Sequence, residues 1–422
     1  MNTRRRKLLS MLALAGSTGF AGCNATEGTT TGSATTSTTA TTATRSTSSP
    51  TGSTETATET ETTTETATET GTTPVPEGTN GWRHYQADYS KSGYVATAVS
   101  DDLAERWRAD VDGMGLCTVA DGTVYATTGG DRSGLVAVDA ADGSVEWRFE
   151  TSSDSISAPA IVDGTVYFGT GTTLGTDGAV HALDADDGAQ VWRTEAQRFA
   201  FSPVVAAGLV FVGTGEGKRV VALEASSGES VWSYEADGVT YGVGLANETL
   251  FFGSGGKDGS VYAVDATDGT ERWQAGIDDI TYMPTLVDDL VCYCTVYAEE
   301  LVALDVDSGT ERWRYGVGGS PGNAAATDGS SIYYAYDGGM SALQSDGSER
   351  WRTSVDGRLA TPAVTDDRVY AASTESAIRA FDVADGAAIG RGDIDGKGQF
   401  TPAIADESLY VVSEKGTLYA FE

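Results

Sequence analysis

A tryptophan, or the residue standing in its place, returns at an almost constant interval down most of this chain. The positions are Trp107, Trp147, Trp192, Trp232, Trp273, Trp313, Trp351 and, in the last copy, Gly390, at spacings of 40, 45, 40, 41, 40, 38 and 39 residues. From Trp147 onward each closes a full or altered copy of Ala-x-Asp-x-x-x-Gly-x-x-x-Trp: YAVDATDGTERW ends at Trp273 and HALDADDGAQVW at Trp192. A fixed period near 40 in a strand-rich chain predicts a β-propeller, with one four-stranded blade per repeat.

Within one unit the reading is consistent. SAPAIV predicts an inner strand, Asp163-Gly164 a hairpin turn, TVYFGTG the second strand, AVHALDA the third and QVWRTE the outer one. Ala182 is small where the next blade presses close, and Asp184 is placed to accept amides of the following turn. Gly188 supplies a backbone angle that a side chain resists, and Trp192 docks on the next blade. Trp107, Trp147, Trp232, Trp273, Trp313 and Trp351 are assigned the same docking role. In the sixth copy, SALQSDGSERW, a residue and the acid are missing. The last copy ends at Gly390, so docking should be weak there and Gly390→Ala should cost little.

The folded part begins with LAERWRADV, an outer strand without three before it, and stops at TLYAFE, a third strand without its outer partner. Pairing the two closes the ring and removes its exposed edges. The fold class predicted is all-β, an eight-bladed propeller over residues 80–422 closed by an N-terminal outer strand; seven blades follow if the ends do not pair.

Ahead of that lie two other materials. Residues 1–22 join Arg4, Arg5, Arg6 and Lys7 to a short apolar run and small residues, the make-up of an export signal. The run is shorter than the ~20 apolar residues a spanning helix needs. Thr-Arg-Arg-Arg-Lys-Leu-Leu resembles a twin-arginine signal, and Phe20-Ala21-Gly22-Cys23 resembles a lipobox that would make Cys23 the lipidated first residue. Residues 23–79 are mostly Thr, Ser, Ala, Gly and Glu. With almost nothing to bury, they should act as a disordered tether, of a kind often glycosylated. The predicted place is the outer face of the cytoplasmic membrane, held by lipid.

The chain carries a formal charge of −34; residues 1–22 hold four positive charges and no negative one, so the chain from Cys23 carries −38. Such a field repels nucleic acid and destabilises the compact state unless salt screens it. Acid excess with only six lysines resembles the proteome of a halophilic archaeon.

The repeat itself resembles the pyrroloquinoline-quinone (PQQ) type, the tryptophan-docking motif of quinoprotein dehydrogenases and their non-enzymatic relatives. GWRHYQADYSKSGYV, before the first outer strand, resembles the lead-in of such proteins. The resemblance covers about Gly81 to the end. It implies the fold but not one function, since a fold hosts many activities. Quinoprotein enzymes are longer, with insertions that build the cofactor chamber and bind calcium, and they carry adjacent cysteines. This chain has Cys292-Tyr293-Cys294 instead and no blade with a large insertion. The BamB-like lipoproteins, eight-bladed scaffolds, are the better likeness.

Few residues offer chemistry. His84 lies in the lead-in and His181 within a third strand, which is too little for a triad or a zinc site. Cys292 and Cys294 share one face of a strand, as packed thiols or as a redox or metal pair. Cys117 takes an inner-strand position that is proline in five other blades. Gly213 to Arg219, GTGEGKR, lacks the spacing of a phosphate loop and reads as a repeat loop. Asp393 to Gln399, DIDGKGQ, has some calcium-like oxygen spacing without the full set.

The remaining candidate is a funnel mouth, formed where loops lead into the inner strands. Phe199, Phe201, Tyr241, Tyr282 and Phe400 sit there, with Arg198, Arg358 and Lys397 as rare positive charges nearby. They either fill the propeller centre or line a ligand or partner site. The sequence thus predicts a membrane-tethered, monomeric binding or scaffold protein with no cofactor, no resident metal and a protein partner at the envelope. The alternative is a PQQ-dependent dehydrogenase holding PQQ and calcium.

Overall fold

The computed structural model describes residues 81–422, apart from 98, 114, 130–132, 173–176, 197, 257–258 and 317. The export segment 1–22, Cys23 and the tether 23–79 lie outside the described residues.

Every regular element among those residues is a β-strand, and the strands form eight sheets, one per blade. In blade 2 the turn between the first two strands falls at Asp163 and Gly164, both with positive φ of 50° and 71°. Thr165–Gly171, Ala179–Asp184 and Gln190–Glu195 follow as successive antiparallel strands. Blade 6 departs from the pattern. Its Ile332–Leu343 runs as one 12-residue stretch through the second and third strand positions, and Gln344 and Ser348 close the shortened motif turn through their backbones.

The ring closes as the two chain ends require. Glu105–Asp110 pairs antiparallel with Thr417–Phe421, Trp107 opposite Ala420, and so completes the blade built by Ala403–Ala405 and Ser408–Val412. A β-bulge between Glu105 and Trp107 lies where the other outer strands also shift register, beside the motif alanine.

Each motif residue has a visible task. The aspartate folds its own turn: Asp184 Oδ1 accepts the Asp186 amide at 2.9 Å, and Asp265 Oδ1 that of Thr267 at 2.8 Å. The tryptophan reaches the next blade. Trp147 Nε1 donates to the Ala185 carbonyl at 2.9 Å, Trp192 to Ala225 at 2.8 Å, and Trp273 to Val306 at 2.8 Å. Trp107 does the same to Ala140 across the closure, at 3.0 Å. The indole lies flat over the motif glycine of that neighbouring blade. A Cβ on Gly188, where φ is +71°, would stand 2.6 Å from the Trp147 ring. Glycine is therefore required twice over, by the left-handed backbone and by the ring above it.

Gly390 overturns one expectation. No indole docks there, yet the place is not loose, because the segment preceding the first outer strand packs into it. Val99 and Leu103 are buried in the core of the last blades with Ile389 against them. Asp101 makes a two-pronged ion pair with Arg368, at 2.6 and 3.1 Å. A Cβ on Gly390 would approach the Asp101 carbonyl oxygen to 2.2 Å. Docking lost from the repeat is replaced by chain from outside the repeat.

The same lead-in does more than bridge two blades. Gly81–Trp82 adds a fifth strand inside blade 1, opposite Ala120 and Val119. The chain then crosses the inner strands in turn. Arg83 O accepts from Ile161 N, His84 Nε2 from Val205 N, Tyr89 O from Leu245 N and Ser90 O from Leu286 N. Farther round the ring, Ser92 O accepts from Thr327 N and Gly93 O from Val364 N. All these inner-strand residues lie close to the turn into the second strand. The lead-in is laid across that end of the channel, and Trp82, Tyr85, Gln86 and Lys91 are buried in it.

Candidate functional site

Because one end of the channel carries the lead-in, the other end, where loops enter the inner strands, is the side open to a ligand. Four of the sequence-predicted aromatics meet there in an edge-to-face ladder across blades 3, 4 and 5. Phe199 and Phe201 have ring centroids 4.9 Å apart, Phe201 and Tyr241 5.4 Å, and Tyr241 and Tyr282 5.1 Å. Register shifts at Thr240/Val243 and Thr281/Pro284 bend the inner strands that carry the two tyrosines, re-aiming both side chains. Phe201, Tyr241, Tyr282 and Phe400 are buried. The ladder fills much of the centre, and geometry of this kind is worth about 0.5–1.5 kcal/mol per pair beyond area burial.

Sequence reasoning missed the floor. Tyr85, from the lead-in, rises into the channel and shares a hydrogen bond of 3.2 Å with Thr401 Oγ1, with Asn323 and Thr361 also in reach. Tyr85, Phe199, Phe201, Met283, Asn323 and Phe400 line a cavity of about 20 Å³. GWRHYQADY held the only available signal: aromatics that no repeat copy accounts for.

The predicted positive charges do not behave alike. Arg198 pairs with Glu216 at 3.3 Å, and Lys397 with Glu414 at 3.8 Å. Arg358 ends the long outer strand Glu349–Arg358 of blade 6, donates to the Pro321 carbonyl, and makes no carboxylate pair among the described residues. Burial pushes its guanidinium below the usual arginine range.

The histidines are structural. His84 is buried, accepts from Val205 N at 3.3 Å, and titrates at about 3 because of burial and the nearby Lys91 charge. His181 stacks on Phe168 and bonds Thr170 and Gln190; burial lowers it to about 4. Unfolded, both return to about 6.5. Between those values the unfolded chain binds more protons, so their contribution is complete above about pH 6.5 and lost as pH falls through about 4 for His181 and about 3 for His84. The urea midpoint should therefore drop with pH across that window, and more shallowly in His84→Asn and His181→Asn. Parallel slopes in wild type and variants would show that the two rings carry none of it. Lys91, fully buried and donating to Tyr85 O at 3.3 Å, is pushed down to about 7 by burial.

Cys292 and Cys294 are free thiols in the core between blades 5 and 6, and burial raises both. Cys117 is also free and buried, raised to about 12. The amides of GTGEGKR are spent on its own hairpin: Thr214 bonds Arg219 O, Gly217 bonds Thr214 O and Lys218 bonds Gly215 O. In DIDGKGQ, the Asp395 carboxylate is taken by the hydroxyls of Ser413 and Thr417, and Asp393 by Arg391. Among the described residues no group of three or more His, Cys, Asp or Glu could hold a metal ion. A tricyclic quinone does not fit the described funnel, whose cavity of about 20 Å³ is about the space of a water molecule, whereas drug-sized ligands occupy ~300 Å³ or more.

The family described as "Outer membrane protein assembly factor BamB" matches residues 91–235, 176–315 and 298–389. The outer membrane protein assembly factor BamB of Yersinia pestis is 30% identical over 322 residues, 69% of this chain and 80% of that protein. The serine/threonine-protein kinase AfsK of Streptomyces griseus is 34% identical over 122 residues, 26% of this chain; the match spans only 15% of the kinase. Among solved structures, BamB from Moraxella catarrhalis superposes with a TM-score of 0.60 at 20% identity, over 76% of this chain and 97% of that one. Quinohemoprotein alcohol dehydrogenase from Comamonas testosteroni gives 0.63 at 15% identity, over 81% and 80%. At those identities the structural likeness is one of fold.

Proposed function

Since this chain belongs to the family of the outer membrane protein assembly factor BamB, we propose that it is a propeller scaffold of the cell envelope, which binds a protein partner and catalyses nothing itself. The observation that carries this reading is the filled channel. Where an enzyme of this fold needs a chamber, this propeller lays its lead-in across one end and stacks aromatics in the other, and the cavity that Tyr85, Phe199, Phe201 and Phe400 line measures about 20 Å³. What remains for recognition is the surface of loops around the mouth. The −38 charge favours work at high salt, where screening also removes weak ionic contacts and leaves apolar ones.

Attachment is proposed through Cys23, with residues 23–79 as the tether. No helix among the described residues is long and apolar enough to cross a membrane. The test is affinity capture of the full-length protein from envelopes in molar potassium chloride. A partner retained in constant ratio is expected, with Cys23→Ser moving the protein to the soluble fraction while its unfolding midpoint stays the same. Recovery of the chain alone at every salt concentration would defeat the scaffold reading, and a membrane-bound Cys23→Ser protein would defeat the anchor.

Fold likeness to a quinohemoprotein dehydrogenase keeps a second reading in view. Purified protein given PQQ and calcium should retain no quinone through gel filtration and should reduce no dye with alcohols or sugars. Retention with dye reduction would replace the scaffold reading by the enzyme.

A further inference from the structure

A second, smaller cavity opens beside the aromatic ladder, between blades 6, 7 and 8. Asn323, Arg358, Thr361, Thr374, Gly398 and Gln399 are among its lining residues, and its volume is about 10 Å³. Asn323 lines this cavity and the apolar one alike, and Gly398–Gln399 here runs directly into Phe400 there. The two cavities are thus halves of one mouth, one apolar and one polar.

The polar half has one carboxylate near it, Asp337, the cross-strand partner of Arg358, which acts on the guanidinium through space without closing an ion pair. Arg358 is half-buried without a carboxylate at ion-pair distance among the described residues, while Arg198 at the same mouth is paired. A half-buried guanidinium whose counter-charge stays beyond ion-pair distance is only partly compensated, and a bound anion offsets the remaining cost. The groups around it can donate. Thr374 Oγ1 accepts from the Arg358 amide at 2.9 Å, which leaves its proton for another acceptor. Tyr282, at the end of the ladder, lies within electrostatic reach of Arg358, and its buried hydroxyl has no hydrogen-bond partner. A buried hydroxyl left so forfeits about 1–3 kcal/mol.

We propose that Arg358, with Tyr282, Thr374 and Asn323, binds the carboxylate of a ligand whose aromatic or aliphatic body lies against Phe199, Phe201 and Phe400. Space of about 10 Å³ admits a head-group oxygen and nothing larger, and the apolar cavity of about 20 Å³ is little roomier, so the body must lie across the opening, outside both cavities. A planar guanidinium matches a carboxylate through two parallel hydrogen bonds. The surrounding field of −38 repels polyanions, which selects a ligand carrying a single negative charge on an apolar frame. Two sources share that chemistry, a small free acid and the last residue of a polypeptide. The inference rests on the mouth being the binding face of the scaffold.

The probes are phenylacetate and the peptide N-acetyl-Ala-Ala-Phe with a free carboxylate, titrated calorimetrically into the full-length protein. Titrations are run in potassium chloride and in potassium sulfate, because chloride is itself a candidate occupant. The peptide amide serves as the uncharged control. Binding of either acid but not of the amide is expected, weakened at least tenfold by Arg358→Gln and a few-fold by Tyr282→Phe. Arg312→Gln, on the outer strand Glu311–Gly316 and paired with Asp305 and Asp289, should leave it unchanged. Phenylacetate binding alone marks a small-acid site; preference for the peptide marks a polypeptide terminus. Neither acid binding in either salt, or equal affinity in wild type, Arg358→Gln and Tyr282→Phe, overturns the proposal. Envelope capture of a partner in that case leaves the scaffold reading standing.

Discussion

Trp107→Ala is expected to lower stability by about 3–5 kcal/mol, as much as Trp273→Ala in the middle of the ring, although Trp107 stands three hundred residues from the strand it completes. The two indoles make one and the same contact. Each donates to a carbonyl of the next blade, Ala140 at 3.0 Å and Val306 at 2.8 Å, and each covers a motif glycine, Gly143 and Gly309. Each also tilts against an aromatic of its own blade at 5.9 Å, Tyr410 and Phe251. Truncation at either place therefore removes a comparable apolar area and leaves a similar unfilled slot between blades. Trp107 carries a further load, because its strand joins the two ends of the fold and a loosened closure exposes the edge at Thr417–Phe421. Urea unfolding followed by far-ultraviolet circular dichroism tests this in molar salt. A Trp107→Ala midpoint equal to wild type, beside a lowered one for Trp273→Ala, would show that the ring does not depend on this closure.

The parts of the fold that repeat were legible from sequence, and the parts that occur once were not. Ala182, Asp184, Gly188 and Trp192 recur with their spacing intact at Ala137–Trp147, Ala263–Trp273 and Ala303–Trp313, so a role inferred in one blade is checked in three others and in part in the rest. Blade count followed from two incomplete ends, since an outer strand without a blade and a blade without an outer strand have one economical solution. The lead-in has no second copy. GWRHYQADYSKSGYV reads as an approach to the first strand, and neither its path across the inner strands nor Tyr85 in the channel could be found by period. Its conformation depends on Gln86, Ala87 and Lys91 at φ of 60°, 69° and 61°, angles that no propensity anticipates for those residue types. The mouth was legible as composition only. Four of its aromatics touch in one ladder, but which arginine lacked a carboxylate at ion-pair distance depended on Glu216, a loop residue whose proximity to Arg198 is tertiary. Gly390 was misread for the same reason, since the sequence shows a missing tryptophan and not the segment that replaced it.

That replacement makes Gly390→Ala the second large effect. The added methyl would sit 2.2 Å from the Asp101 carbonyl oxygen and 3.2 Å from Ala380 Cβ. Both obstacles are held in place. Asp101 is fixed by Arg368, and the adjoining chain by a bond from the Tyr370 hydroxyl to Val99 O at 2.9 Å and by the Ala104–Glu422 backbone pair. A methyl facing a flexible side-chain tip is absorbed, but here the backbone of the turn at Asp101 must lift away from the strand Ala388–Asp393. Overpacking of this kind costs about 1–3 kcal/mol, and the upper part of that range is expected. The displaced element is the one Arg368 grips, so the two sites should be coupled. Arg368→Ala alone removes the Asp101 pair; made on top of Gly390→Ala, it should remove little more, because the pair is already broken. Additive costs in this double-mutant cycle would mean that the methyl is accommodated without moving residues 99–103. A Gly390→Ala protein as stable as wild type would mean that the lead-in does not fill the vacant docking place at all.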